Sequence, residues 1–240
     1  MDVRIGLLVC DHVRPEFLEI SGDYEDMFRR LFADYERVEV VAYDAITGEL
    51  PANPQEADAW LTTGSRHSVN DDEPWIRRLE DFVREVADAG VPFVGICFGH
   101  QLIAKALGGS VVKSDRGWGV GVQEVELSQE LGWGDSYRVL TSYQDQVDSL
   151  PPGAEILGWN DHCPVSVMGV GSNILGIQGH PEFEPAYSQA LMESRRGTSI
   201  PEATVDAGLV SLEHEPDGSK LADWILEFVD TARTPSAADS

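Results

Sequence analysis

The stretch Val91-Pro-Phe-Val-Gly-Ile-Cys-Phe-Gly-His-Gln-Leu-Ile-Ala-Lys-Ala-Leu-Gly-Gly109 constrains this chain more than any other. An apolar run from Val91 to Ile96 reads as a buried strand, and the helical spacing of Leu102, Ile103, Ala106 and Leu107 reads as a helix that begins immediately after it. Between them lies Gly95-Ile-Cys-Phe-Gly99, with small residues on both sides of Cys97. Glycines in these places let a chain turn sharply enough to hold one side chain above the end of a sheet, the geometry of a nucleophile elbow. A thiol at a helix N-terminus faces unpaired N–H groups and the positive end of the helix dipole, which favour the thiolate. The competing reading is that Cys97 simply fills the core, as most free cysteines do.

The pattern around the elbow implies an α/β fold. Val3–Val9, Val38–Tyr43 and Asp58–Thr63 read as strands, and helices are expected over Asp23–Tyr35 and Pro74–Ala89. Strands alternating with helices imply a mostly parallel open sheet covered on both faces. After Gly109 the rhythm changes to short strand-like runs at Val111-Val112, Gly119–Leu127, Tyr137–Thr141, Glu155–Trp159, Pro164–Gly169 and Ile174–Gln178. These predict an antiparallel extension of the sheet. Helices follow at Tyr187–Arg196 and Ser219–Thr231, and residues 1–233 are expected to form one domain with a disordered tail over 234–240.

Charge narrows the function. The net charge is −25, with only three lysines (Lys105, Lys113, Lys220) among 17 basic residues, which argues against nucleic acid or an anionic membrane as partner. Such a lysine-poor, acidic composition suits a high-salt cytosol, where screening offsets self-repulsion, and equally an ordinary acidic protein. Cys10, Cys97 and Cys163 are scattered and odd in number, so neither a disulfide framework nor a zinc site is expected. With no signal peptide and no spanning apolar run, a cytoplasmic protein is expected.

Ile174-Leu-Gly-Ile-Gln-Gly-His-Pro-Glu-Phe183 is the second informative stretch. It places His180 at the end of an apolar strand, with Glu182 two residues later. A cysteine nucleophile needs a base, and the base needs an acceptor to orient its ring; His180 and Glu182 can fill these roles. Arg66 and His67 read as surface loop residues, and Trp118, Trp133 and Trp159 as packing.

Together Gly95-Ile-Cys-Phe-Gly-His-Gln101 and Gly179-His-Pro-Glu182 resemble the class I, triad-type glutamine amidotransferase family, close to its GMP-synthase-like branch. Thr62-Thr-Gly-Ser-Arg-His-Ser-Val69 resembles the family's Gly-Gly-Pro-x-Ser-Val loop, with Ser65 in place of proline. Ser142-Tyr-Gln-Asp-Gln-Val-Asp-Ser-Leu-Pro-Pro-Gly153 resembles the segment before a Leu-Pro-x-Gly turn, with Tyr143 where histidine is common, and Trp118-Gly-Val-Gly121 a hairpin-opening turn. The resemblance implies a flavodoxin-like fold and a Cys97–His180–Glu182 triad that needs no cofactor and no metal. It further implies an oxyanion hole from the backbone of Gly64 and Phe98, and substrate contacts from Gln101, Ser142 and Tyr143. The expected activity is hydrolysis of the glutamine side-chain amide through a γ-glutamyl thioester. The ammonia would pass to a separate ATP-dependent synthetase, since the chain carries no P-loop. Two alternatives stay open: a γ-glutamyl peptidase or hydrolase using the same triad, and a non-catalytic regulatory subunit.

Overall fold

The computed structural model describes residues 2–234; the part of the expected tail at 235–240 lies outside them. Strand β1 (Val3–Leu8) is followed by a loop containing the short helix α1 (Leu18–Ser21), then α2 (Tyr24–Leu31) and β2 (Val38–Tyr43). Next come β3 (Ala59–Thr62), α3 (Pro74–Asp88), β4 (Phe93–Ile96) and α4 (Phe98–Ala106). Seven strands follow: β5 (Ser110–Lys113), β6 (Gly119–Leu127), β7 (Ser136–Tyr143), β8 (Asp145–Ser149), β9 (Ala154–Trp159), β10 (Val167–Val170) and β11 (Ile174–Ile177). The chain closes with α5 (Pro185–Arg195), α6 (Glu202–Ser211) and α7 (Gly218–Ala232).

Nine strands form one sheet in the order β2-β1-β3-β4-β11-β10-β9-β6-β7, while β5 and β8 pair separately. From β2 to β11 the neighbours run parallel; from β11 onward they run antiparallel. The mostly parallel sheet with an antiparallel extension is therefore present. One assignment changes. Ile174–Gln178, grouped by sequence with the antiparallel runs, supplies β11, which lies parallel to β4 at the centre. The reversal is made by the β10–β11 turn, where Gly171 has φ +58°.

The two faces of the sheet fill separate cores, as a two-residue side-chain period requires. Leu7, Leu61 and Val94 pack on one face with Phe28 of α2 and Leu221 and Ile225 of α7. Their chain neighbours Leu8, Trp60 and Phe93 pack on the other with Leu79 and Val83 of α3 and Leu102 and Ile103 of α4. The trimmed start of α2 has a local cause. Asp23 caps it, and its carboxylate also accepts from the backbone N–H of Val13, tying the loop after β1 to the helix. Helix α5 lies over the antiparallel half, where Tyr187 and Leu191 pack with Leu140 of β7 and Phe183. Trp133 stacks on Trp224 with ring centroids 5.2 Å apart, so it packs as expected. Among the described residues no helix is long and apolar enough to cross a membrane.

Candidate active site

Because β4 and β11 are adjacent and in register, the chain following each strand emerges at the same end of the sheet. Ile96 pairs with Ile177, and the N–H of Cys97 donates to the Ile177 carbonyl at 2.8 Å. Cys97 then turns the chain into α4 with φ +52° and ψ −97°; among the described residues it is the only non-glycine with positive φ. Such a conformation costs on the order of 1–3 kcal/mol and persists where its surroundings enforce it. The enforcement is visible at Gly99, where a Cβ would lie 1.7 Å from Thr62 Oγ1. The same hydroxyl accepts the Ile96 N–H at 3.1 Å, so β3, β4 and the first turn of α4 lock together around the elbow.

His180 is pinned by its own backbone. Its N–H donates to the Leu140 carbonyl at 2.8 Å, a bridge that carries the chain from β11 across to β7. The imidazole Nδ1 lies 2.7 Å from Glu182 Oε1, both side chains being almost fully buried, and the ring stacks on Phe183 at 3.9 Å and 11°. Its other edge meets Cys97. Burial opposes protonation of this ring, but the Glu182 charge, then the Cys97 sulfur, and hydrogen bonds to both outweigh it, so the His180 pKa is raised well above that of a free histidine. A buried thiol, imidazole and carboxylate held in that order can pass a proton from sulfur to the ring, with the carboxylate stabilising the charged ring.

The remaining residues singled out by sequence are distributed around this row. Gly64 lies against the His180 ring, where a Cβ would come within 2.6 Å of Cε1, and only glycine fits. Phe98 is the first residue of α4, so its N–H has no partner within the helix and is available beside the sulfur. Gln101 is buried, and its amide donates to the Asp145 carbonyl at 2.7 Å and to Gln178 Oε1 at 3.2 Å. Ser142 accepts from Arg195 Nη1 at 2.9 Å. The Tyr143 hydroxyl donates to Gln123 Oε1 at 2.9 Å, and burial raises its pKa beyond any working range. The phenol is thus committed to a protein partner, while its ring still lines the cavity beside Cys97.

Two cavities open here. One, of about 210 Å³, is lined by Cys97, Phe98, Gln101, Trp118 and Tyr143. The second, of about 310 Å³, is lined by His180, Arg14, Tyr24 and Tyr187. Ser65, Arg66, Ser142 and Arg195 border both.

Three residues here were not assigned to the site from the sequence. Gln178 is 1% exposed and its amide reaches Cys97 Sγ at 3.6 Å. The available signal was a lone amide ending the apolar run of β11. Arg66, read as a surface loop residue, is one, with its side chain half exposed; its Nε also donates to both carboxylate oxygens of buried Asp11, at 2.8 and 3.0 Å, and it borders both cavities. Arg195 gave no local signal, since only the packing of α5 against β7 brings it here. His67, by contrast, stacks edge-on against Trp75 and faces Asp71 at 3.5 Å. Among the described residues no group of three or more His, Cys, Asp and Glu side chains could hold a metal ion.

Comparison with known proteins fits this geometry. The family model described as glutamine amidotransferase class-I matches residues 21–195. A glutamine amidotransferase-like protein of Schizosaccharomyces pombe is 30% identical over 95% of this chain and 99% of its own length. Gamma-glutamyl peptidase 2 of Arabidopsis thaliana is 29% identical over 90% of this chain and 91% of its own. A crystal structure of a glutamine amidotransferase from Thermotoga maritima superimposes with a TM-score of 0.73 at 21% identity, covering 97% of this chain and 98% of that one, which establishes a shared fold. A family match that spans both the elbow and the His-Pro-Glu turn, with near-full-length similarity to the yeast protein, means that this chain belongs to the class-I glutamine amidotransferases.

Proposed function

We propose that the chain is a cysteine-dependent amide hydrolase acting on the γ-acyl group of glutamine or of a γ-glutamyl compound. The observation that carries this reading is the His180 ring, held by Glu182 at 2.7 Å on one side and meeting Cys97 on the other at the edge of a cavity. In the first step the Cys97 thiolate adds to the γ-carbonyl carbon. The negative oxygen that forms is held by the N–H of Phe98 and by the backbone of the loop at Gly64; one such donor contributes about 2.7–4 kcal/mol to transition-state stabilisation. His180 gives its proton to the departing nitrogen as the C–N bond breaks, leaving a γ-glutamyl thioester. The neutral ring then takes a proton from water, which attacks the thioester, releases glutamate and restores the thiolate. Glu182 holds the ring in orientation and supports its positive charge. Gln101, Ser142 and Tyr143 border the space for the glutamyl end.

In the leading version the nitrogen leaves as ammonia for a separate ATP-dependent synthetase in the cytoplasm. A second version, γ-glutamyl peptide hydrolysis with no acceptor, is supported by likeness to gamma-glutamyl peptidase 2 along most of the chain. A regulatory subunit without turnover would have no use for the strained Cys97 backbone or the buried carboxylate behind His180. The test is ammonia release from glutamine in high salt, together with alkylation by a glutamine-analogue electrophile. Both are expected in the wild type and neither in Cys97→Ala. Turnover that persists in Cys97→Ala would overturn the reading. Cleavage of γ-glutamyl peptides without a partner, where glutamine is inert, selects the second version; glutamine turnover only after a synthetase is added selects the first.

A further inference from the structure

Arg195 stands apart from the other arginines around the site. Arg66 is neutralised by Asp11, Arg14 faces Glu16 at 3.3 Å, and Arg196 pairs with both Glu193 and Asp206. The Arg195 guanidinium is half-buried at the end of α5, donates to Ser142 Oγ at 2.9 Å and lies over the Trp118 ring at 5.5 Å. Among the described residues no carboxylate lies within ion-pair distance of it. Burial is the main influence on it and lowers its pKa, the direction expected for a cation without a counter-ion. Withdrawing a guanidinium from water without a partner is unfavourable. In a chain of net charge −25, with carboxylates in excess, a cation left without one at a cavity wall is a group whose partner arrives with the ligand.

The two cavities give that ligand a direction. Cys97 lines one and His180 the other, and Arg195 borders both. The acyl half of the substrate must sit where the sulfur attacks, whereas the departing nitrogen must sit where the imidazolium can protonate it. The amine half therefore extends into the cavity on the His180 side. Ammonia needs no such room. A volume of about 310 Å³ falls at the lower end of the range for small-molecule sites, roughly 300–1,000 Å³.

We propose that the cavity on the His180 side is a leaving-group subsite for the amine half of a γ-glutamyl amide, an amino acid or short peptide bearing its own carboxylate, and that Arg195 binds that carboxylate. This rests on the thiol-hydrolase reading above and specifies its substrate class. The S–C bond forms, the C–N bond breaks, the His180 proton goes to the amine nitrogen, and the amino acid leaves with its carboxylate still paired to Arg195. Bidentate geometry makes arginine, rather than lysine, the suited reader of a carboxylate.

The experiment compares γ-glutamyl-glycine with γ-glutamyl-methylamide, which share the acyl half and differ in the leaving-group carboxylate. The wild type is expected to favour γ-glutamyl-glycine in kcat/KM by roughly 10- to 100-fold, the range of a hydrogen bond to a charged group. Arg195→Gln should bring that ratio close to one, mainly through KM, and Arg195→Lys should retain part of it. Calorimetry on Cys97→Ala protein reads the same discrimination as binding, without turnover, with and without Arg195→Gln. Equal handling of the two amides by the wild type overturns the subsite, as does a variant that loses both in proportion, which would put Arg195 on the shared glutamyl half. Absence of any Cys97-dependent turnover of glutamine or either amide overturns the hydrolase reading itself, an outcome distinct from lost discrimination.

Discussion

The side-chain amide of Gln178 donates to Cys97 Sγ at 3.6 Å, from the residue that immediately follows the strand paired with the cysteine's own. Gln178 Oε1 in turn accepts from Gln101 at 3.2 Å, and Gln101 is fixed to the Asp145 carbonyl. A row of amides therefore supports the sulfur from beneath the elbow. An N–H donor stabilises the thiolate more than the thiol, since hydrogen bonds to ionised groups are the stronger kind. Gln178→Leu, which keeps the volume and removes the donor, is expected to slow alkylation of Cys97 at neutral pH by roughly 10-fold. The measurement is the rate of thiol modification against pH, and a wild-type profile in the variant would remove Gln178 from the account.

Glu182 is enclosed behind His180, and its role can be separated from that of the ring. The His180 pKa, with burial working against it, is raised by the Glu182 charge and by Cys97, so the protonated ring survives well above pH 7. Glu182→Gln preserves shape and removes the charge. The expected loss in kcat is roughly 10²- to 10⁴-fold, the scale of general acid–base catalysis. The alkaline limb of the kcat–pH profile should also move to lower pH, because the imidazolium then loses its proton sooner. A variant that lost activity with an unmoved limb would show that the carboxylate acts on structure alone.

His100 carries a stability prediction independent of catalysis. It is fully buried in α4 against Gly176 of β11, and burial holds its pKa down to about 4. Its folded-state value lies below the ordinary 6.5, so the neutral ring contributes its full stabilisation above about pH 6.5, and that contribution is lost as pH falls toward 4. The loss amounts to about 3 kcal/mol by linkage. Denaturant unfolding at pH 7.5 and 4.5 should show a smaller acid-induced loss for His100→Gln than for the wild type. Equal losses would contradict it.

The elbow depends on the contact between Gly99 and Thr62. Gly99→Ala would drive a methyl into the Thr62 side chain, which is buried, branched and holds the Ile96 N–H. Overpacking of this kind costs about 1–3 kcal/mol. The variant is expected to unfold at lower denaturant and to modify Cys97 more slowly, and Thr62→Ala, which removes the Oγ1 that the methyl would strike, should cost less stability in the Gly99→Ala background than in the wild type. Equilibrium unfolding of the single and double variants checks both.

Much of this was legible in the sequence because the signals were local. Apolar runs such as Val91–Ile96 have to be buried strands, and the glycine-flanked cysteine has few conformations open to it. The parallel half of the sheet and the Cys97–His180–Glu182 grouping follow from such runs and their order. Strand direction does not. β11 is as apolar as a parallel neighbour or an antiparallel one would be, and only its turn at Gly171 decides. β8 escaped notice because Asp-Gln-Val-Asp-Ser has a single apolar residue and pairs only with short β5. α6 escaped because Gly208 interrupts a weak pattern, and glycine disfavours a helix by about 1 kcal/mol. Arg195 and Gln178 acquire their meaning from partners distant in the chain, which no spacing rule reports.

The pairing of Ile96 with Ile177 has a consequence for how this molecule can vary. Sulfur and imidazole are spaced by the rungs of a ladder between adjoining strands, so the stretch of chain connecting them does not set the gap. Residues 98–173 could gain or lose loop length at exposed bends such as Pro152-Gly153 and leave the two side chains where they are. Changes confined to the outer strands would leave the separation of these two groups to the central pair of the sheet.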